Sequence, residues 1–385
     1  MAHVLALRET CMRRRSLSLP TFLCFIDLKR AFDSVPHSAL FDKLDALGVR
    51  GRFLSTLKSL YSNSSAVVRS GNVVSAPFPT CIGVRQGDPL SPLLFDLFIN
   101  DLCACVRQFG MFVPNGGSLV VSSLLFADDL VLVSDSLSGL QLAVNAVYGW
   151  CVKFGMSIGI SKCGVMEIGS SSSSDTVITL PCGASLPSVE SYTYLGFEFA
   201  RSLSLANVIN SRVSKVNWLA TVSRPLLSCR LLPISLRVRI LKSFIVPSCM
   251  YGCELFGLSR SLLHGLQRIV GNCLRVIVHG NVHARCNMFA IYRELNVAPL
   301  FAVSCAARAR VALKYRSLKS VVSQIISLPT SHVRGCWSQS THAWLSRVAP
   351  NWLGSSSPRT LSSSVKSSVW SYLESLTSCR NSASW

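Results

Sequence analysis

Three carboxylates within the first 129 residues have the type and setting that metal-assisted phosphoryl transfer requires. Asp128 and Asp129 stand side by side in Ser123–Ser134, S-L-L-F-A-D-D-L-V-L-V-S, between two apolar, partly β-branched runs. Asp27 closes another apolar run, T-F-L-C-F-I-D. Adjacent carboxylates repel each other unless cations or hydrogen bonds compensate. A solvent-facing Asp-Asp turn would also meet that demand, because Asp favours turns through local hydrogen bonds. A third acid in a matching context points the other way. Two strands that each deliver a carboxylate to one end of a sheet can hold two metal ions. Such ions, about 3.5–4 Å apart, clamp the attacking and leaving oxygens of an in-line displacement.

Hydrophobic patterning outlines the elements that must position these acids. Thr21–Asp27 and the two halves of Ser123–Ser134 read as buried strands, with Ala-Asp-Asp as a tight hairpin turn. A helix is expected over His3–Arg15, then a linker to Pro20. Pro36 opens another, with Gly48 as its stop, and Gly51–Tyr61 presents Phe53, Leu54, Leu57 and Leu60 at helical spacing. Ser65–Ser75 reads as a hairpin around Gly71-Asn72. Gly83–Pro92 is a loop leading into a helix, Leu93–Phe109, whose apolar face would pack under the sheet. A further helix is expected from about Ser138 to Phe154. The serine run Ser170–Ser174 reads as a flexible tip. From Leu205 the pattern turns helical: Leu205–Leu227, Ser235–Phe256 with a break at Pro247, and Arg260–Val278. Beyond Ser320 the Ser-rich chain suggests loosely ordered helices.

Length and composition set the bounds. A chain of 385 residues can bury a large core in two or three domains. Despite 49% hydrophobic residues and a mean hydropathy of +0.41, charges or turn residues interrupt every run before the eighteen or so apolar residues of a membrane span. The N-terminal charges follow the apolar residues, the reverse of a secretory signal. Sixteen cysteines are scattered without a C-x-x-C pair. Neither His279 nor His283 completes a zinc finger with Cys249 and Cys253. Reduced thiols in the cytoplasm or nucleus are the simpler account. Charge is placed unevenly. Residues 1–200 hold 15 basic and 15 acidic side chains, and residues 201–385 hold 23 and 3, which accounts for the whole +20. A basic half of this kind suits a polyanion, and a basic surface kept for solubility is the alternative.

The motifs resemble a known family. F-I-D-L-K-R-A-F-D-S-V (Phe25–Val35), G-V-R-Q-G-D-P-L-S-P-L-L-F (Gly83–Phe95) and F-A-D-D (Phe126–Asp129) stand in the order of reverse transcriptase palm motifs. G-M-S-I-G-I-S-K (Gly155–Lys162) and Y-L-G-F-E-F (Tyr194–Phe199) are similar to the motifs that follow. Their wording resembles the non-LTR (LINE-type) retrotransposon branch. The resemblance implies an α+β polymerase palm over residues 21–200 and an all-helical, thumb-like region over 201–320. Residues 1–20 would be a remnant of the fingers and 321–385 a loosely ordered Ser-rich end, so the chain reads as a fragment starting just before the first palm motif.

The resemblance also implies roles. Asp27 and Asp128 would ligate two Mg²⁺ ions (Mn²⁺ as a substitute), with Asp129 as a weaker contributor. Lys162 would protonate or stabilise the departing pyrophosphate. Phe32 would be a bulky gate against a ribose 2′-OH, although a plain core aromatic is the competing reading. Arg85, Gln86 and Gly87 would contact nucleotide, and Tyr194, Leu195 and Gly196 would grip the primer. Arg237, Arg239, Lys242, Arg268 and Arg275 recur at roughly helical spacing and could line the template–primer backbone. Asp33 reads as a helix-entry or structural carboxylate. Gly159 departs from the family, which usually shows Asn there. The implied activity is RNA-directed DNA synthesis with an RNA template, a DNA primer and dNTPs. The alternatives are a catalytically silent relic, a nucleic-acid-binding protein that keeps only the basic region, and, disfavoured, a group II intron-type maturase.

Overall fold

The computed structural model describes residues 1–62, 64–169, 177–328, 336–355 and 357–378, with the backbone alone for 374–378. The serine run 170–174 lies outside the described residues. The chain divides into two compact units, residues 13–195 and residues 1–12 with 196–385. The division falls inside the first helix, α1 (Ala2–Ser16).

The first unit is built on a four-stranded antiparallel sheet of β1 (Thr21–Ile26), β2 (Ser123–Phe126), β3 (Asp129–Ser134) and β4 (Gly164–Ile168), in spatial order β4-β1-β3-β2. β1 is central and almost wholly buried, as its unbroken apolar run requires. Strand alternation sends Cys24, Ile26, Leu130, Leu132 and Val165 into one core with helices α2 (Ser91–Ile99) and α3 (Leu137–Lys153). Phe95, Phe98, Leu140, Val144 and Val147 are fully buried there. Deleting a ring such as Phe98 would cost about 3–5 kcal/mol. Ser136 starts α3 by accepting a hydrogen bond from the Gly139 amide at 3.2 Å.

The helix expected over Leu93–Phe109 is divided into α2, Leu102–Val106 and a 3₁₀ turn. Asp101 sits at the division, accepting hydrogen bonds from Lys43 Nζ at 2.6 Å and Trp150 Nε1 at 3.1 Å. The expected hairpin at Gly71-Asn72 forms between Arg69–Ser70 and Val73–Val74.

The second unit is helical among its described residues, apart from the strand Phe197–Ala200. Its longer helices are α4 (Ala206–Ser228), α5 (Arg260–His279), α6 (Leu300–Arg316), α7 (Trp337–Val348) and α8 (Pro358–Ser378). α5 is bounded by the Ser259 side chain at its start and by Gly280, at φ +74°, past its end. The break expected at Pro247 falls elsewhere. Five residues, Leu241–Ile245, take π-helical spacing just before the proline, and the helix runs on to Met250. The wider turn accommodates the missing proline amide, and the chain turns instead at Gly252, φ +75°.

The Ser-rich end is not loosely packed where it is described. Leu361, Val365, Val369 and Leu373 of α8 are buried, and Ser362 Oγ donates to the Ala306 carbonyl on α6 at 3.0 Å. The small Ala, Ser and Cys side chains of α6 permit that approach. α1 belongs here through Glu9, which is fully buried. Its carboxylate accepts from Trp337 N at 2.9 Å and from Ser338 Oγ at 2.6 Å, and so caps the N-terminus of α7. Nearby Arg308 donates to Thr341 Oγ1 and Ser340 Oγ, both at 2.7 Å, and to the Leu255 and Trp337 carbonyls. Burial pulls its guanidinium down to about 9, and the Glu9 charge works against that shift.

Candidate active site

The register of the sheet decides where the acids meet. β1 and β3 pair Cys24 with Leu132 and Ile26 with Leu130, so the next position outward sets Asp27 across from Asp129. Both lie on the face opposite the Ile26 and Leu130 side chains, because successive residues alternate. Asp128 occupies the two-residue turn with Ala127, whose φ of +51° is left-handed, inside the Phe126–Asp129 pair. All three acids are half-buried. Burial pushes the Asp129 carboxyl up, and the charges of Asp128 and Asp27 push it further. The three carboxylates therefore share one field. The turn expected from Ala-Asp-Asp is present, with Asp128 inside it and Asp129 opening β3.

A loop from α3 to β4 closes over Asp27. Lys29 N donates to Ser157 O at 2.8 Å, and Gly159 N donates to Asp27 O at 2.7 Å. A Cβ on Gly159 would stand 2.5 Å from Asp27 Oδ2, so glycine leaves this carboxylate its room. The departure from asparagine at this position thus has a steric counterpart. Lys162 lies on the 3₁₀ turn Ile160–Lys162, not on a strand, and is largely exposed with Nζ 3.9 Å from Asp27 Oδ2.

Tyrosines brace this loop and the sheet. Tyr192 donates to Lys162 O at 2.8 Å and stacks on Phe25 at 4.3 Å. Tyr194 is buried and donates to Leu124 O at 3.4 Å. Desolvation raises both phenols, and Asp129 adds to the shift in each. Leu195 and Gly196, at φ +51° and +69°, turn the chain after Tyr194. Sequence reasoning missed Tyr192, although the alternation of S-Y-T-Y around it was the signal.

Phe32 is half-buried and stacks on Phe95 at 4.2 Å. Gln86 is exposed, and its Nε2 donates to Asp33 Oδ1 at 3.0 Å. Arg85 donates to the Leu60 carbonyl, in the last turn of the Gly51–Ser62 helix, and to Ser64 Oγ. Gly87, at φ +86°, keeps the backbone bare beside them. Asp33, His37, Tyr61, Arg85 and Gln86 line a cavity of about 600 Å³.

The basic set divides. Arg239, Lys242 and Arg268 are exposed, and Arg275 is half-buried with a bond to Asn272 Oδ1 at 2.9 Å. Lys242 Nζ donates to Leu295 O at 3.4 Å. Arg237 does not join the polyanion-facing set. It is buried, and its guanidinium donates to the Leu232, Leu227 and Ile277 carbonyls. The Leu227 and Ile277 carbonyls lie in the last turns of α4 and α5, so two of these bonds cap helix C-termini, and the donors are spent before any phosphate can use them.

Among the described residues, no three His, Cys, Asp or Glu side chains are grouped closely enough to enclose a metal ion. The donor set nonetheless fits magnesium. Mg²⁺ usually takes one or two protein carboxylates, keeps several waters and completes its shell with substrate phosphates. Asp27, Asp129 and the Asp128 of the adjoining turn are carboxylates of the kind such a partial shell uses.

An antiparallel sheet with acids at one end and a lysine beside them defines a polymerase-type palm. Residues 5–199 match the family described as reverse transcriptase (RNA-dependent DNA polymerase), and the chain belongs to that family. Its relatives bear out the non-LTR resemblance. The chain is 25% identical over 294 residues to a retrovirus-related Pol polyprotein from type-1 retrotransposable element R2 of Popillia japonica, covering 74% of this chain and 46% of the relative. It is 26% identical over 268 residues to the RNA-directed DNA polymerase from mobile element jockey of Drosophila funebris, covering 66% and 28%. The chain thus spans less than half the length of these relatives. Among solved structures it is similar to apo telomerase from Candida tropicalis, with a TM-score of 0.43 and 12% identity over 84% of this chain and 56% of that one.

Proposed function

We propose that this protein is an RNA-directed DNA polymerase of a non-LTR retrotransposon. The observation that carries the reading is the register that brings Asp27 and Asp129 to one strand end with Asp128 in the adjoining turn. In this reading Asp27, Asp128 and Asp129 hold two divalent cations, Mg²⁺ or in its place Mn²⁺, which when bound neutralise charge on the phosphates. The carboxylates orient the primer 3′-OH toward the dNTP α-phosphate for in-line attack. Lys162 faces the leaving pyrophosphate as a proton donor. Phe32, held by Phe95, stands against a ribose 2′-OH, and Gln86 with Gly87 contacts the nucleotide. Tyr194, Leu195 and Gly196 hold the primer end, while Arg239, Lys242, Arg268 and Arg275 face the backbone of an RNA template and DNA primer. Among the described residues no helix is long and apolar enough to cross a membrane.

The test is extension of a DNA primer on an RNA template with Mg²⁺ and dNTPs. Asp27→Asn should lower incorporation on the order of 10³-fold, because it removes charge stabilisation that matters most in the transition state. Near wild-type extension by that variant would sink the assignment. A second reading, nucleic-acid binding without synthesis, is favoured by the surplus of exposed cations in the helical unit. It predicts salt-sensitive binding of RNA–DNA duplex in a parallel assay with no extension by the wild type.

A further inference from the structure

The turn that follows Asp27 and the loop that carries Gln86 are laced together by backbone. Gly83 N donates to Val35 O at 2.8 Å, and Val84 N donates to Phe32 O at 2.9 Å. His37 Nε2 lies 2.8 Å from Gly83 O and donates to it. Gly83 has a left-handed φ of +88°, and a Cβ there would meet the Asp33 carbonyl oxygen at 2.9 Å. A side chain at position 83 would force the two segments apart. The result is one rigid clamp bearing Phe32, Asp33 and Gln86 at fixed spacing.

Within the clamp, Gln86 Nε2 donates to Asp33 Oδ1 at 3.0 Å. An ionised carboxylate only accepts hydrogen bonds, so it can pair with the amide nitrogen of Gln86 and not with its oxygen. The Asp33 charge therefore fixes which way the amide points. It leaves Oε1 and one N–H of Gln86 free at the cavity that both residues line.

We propose that Asp33 is a positioning residue for nucleotide selection: it orients the Gln86 amide at the cavity, on the same clamp that sets Phe32. The inference rests on the polymerase reading above. Asp33 acts only through Gln86, so its loss weakens nucleotide binding in the same way as loss of the amide itself. An asparagine at position 33 presents both a donor and an acceptor and leaves the Gln86 amide free to flip.

Two measurements on the full chain test this. In primer extension, Asp33→Asn and Gln86→Ala should each raise the KM for dNTPs about tenfold, with the loss on KM rather than kcat. The double variant should be no worse than either single one, since residues that act through each other are not additive. Asp33→Glu should recover part of the loss. The second measurement needs no turnover. Selective ¹⁵N labelling of the six glutamines, with Gln86→Ala for assignment, should show the Gln86 side-chain amide signal shifting in Asp33→Asn and returning toward its original place in Asp33→Glu. An amide signal indifferent to Asp33→Asn would overturn the proposal, as would fully additive losses in the double variant. Failure of the polymerase reading would appear separately, as incorporation that survives Asp27→Asn while the amide signal still reports the clamp.

Discussion

The two units carry charge in opposite styles. Residues 13–195 hold 14 basic and 13 acidic side chains, a net +1, whereas residues 1–12 with 196–385 hold 24 and 5, a net +19. In the neutral unit a few charges are concentrated at Asp27, Asp128 and Asp129, where burial and then the other two charges push the Asp129 carboxyl up. In the basic unit the cations are many and sort into two populations. Arg237 and Arg308 are buried and satisfied by carbonyls and hydroxyls, while Arg239, Lys242 and Arg268 face solvent. Net charge alone thus overstates how much of the basic unit is open to a polyanion. Position within the fold decides whether an arginine faces solvent or braces the core.

That division can be broken most forcefully at Arg308. Arg308→Met should destabilise the protein by roughly 3–5 kcal/mol, because it strands buried partners. Urea unfolding would measure the loss, and the salt dependence of polyanion binding should not move. A change in salt dependence with stability intact would place Arg308 among the binding cations.

In the neutral unit, Gly159→Ala should lower kcat roughly 10- to 100-fold by displacing Asp27 Oδ2, a misplacement on the scale that positioning effects exact. Nucleic-acid affinity should hold. Unaltered turnover would mean that the Asp27 carboxylate has another resting place.

The exposed cations give a smaller, graded effect. Neutralising Arg239, Lys242 or Arg268 should lower the log–log salt slope of duplex binding by about 0.9 for each phosphate left without its cation. Arg237→Leu should leave the slope unchanged and lower stability instead.

The smallest effect concerns pH. The Asp129 carboxyl is raised in the folded state, so the fold holds its proton more tightly than the unfolded chain does. Stability should therefore decline as pH rises from the ordinary carboxylate range through the raised value. Asp129→Asn should abolish that decline and raise the urea midpoint at neutral pH. A midpoint that falls would show that the Asp129 charge is compensated within the protein.

Much of this arrangement is legible in the amino-acid sequence. The apolar runs around Asp27 and the Asp-Asp pair fix strand identity, and α3, α4 and α5 fall within a residue or two of their hydrophobic periodicity. Other features depend on which side of an element faces inward, and spacing alone does not say. Arg237 and Arg239, two residues apart, sit on opposite sides of one helix, and spacing does not say which of them points to solvent. The bonds of Gln86 to Asp33 and of Tyr192 to Lys162 span 53 and 30 residues and are invisible to any local pattern. The close packing of the Ser-rich end is hidden because serine composition mimics a linker until a small-residue helix such as α6 lies beside it.

The cap that Glu9 places on α7 has a consequence for synthesis. Its partner amide at Trp337 lies 328 residues further along the chain. At roughly 5–20 residues per second, a ribosome takes about 15–65 s to bridge that gap. For all that time Val4, Leu5, Leu7 and Cys11, buried in the finished fold, have no completed core to enter. Meanwhile residues 13–195, interposed in the sequence, can collapse around their own sheet. The nascent chain therefore carries an apolar helix in waiting, an invitation to chaperones and to misassociation between neighbouring nascent chains.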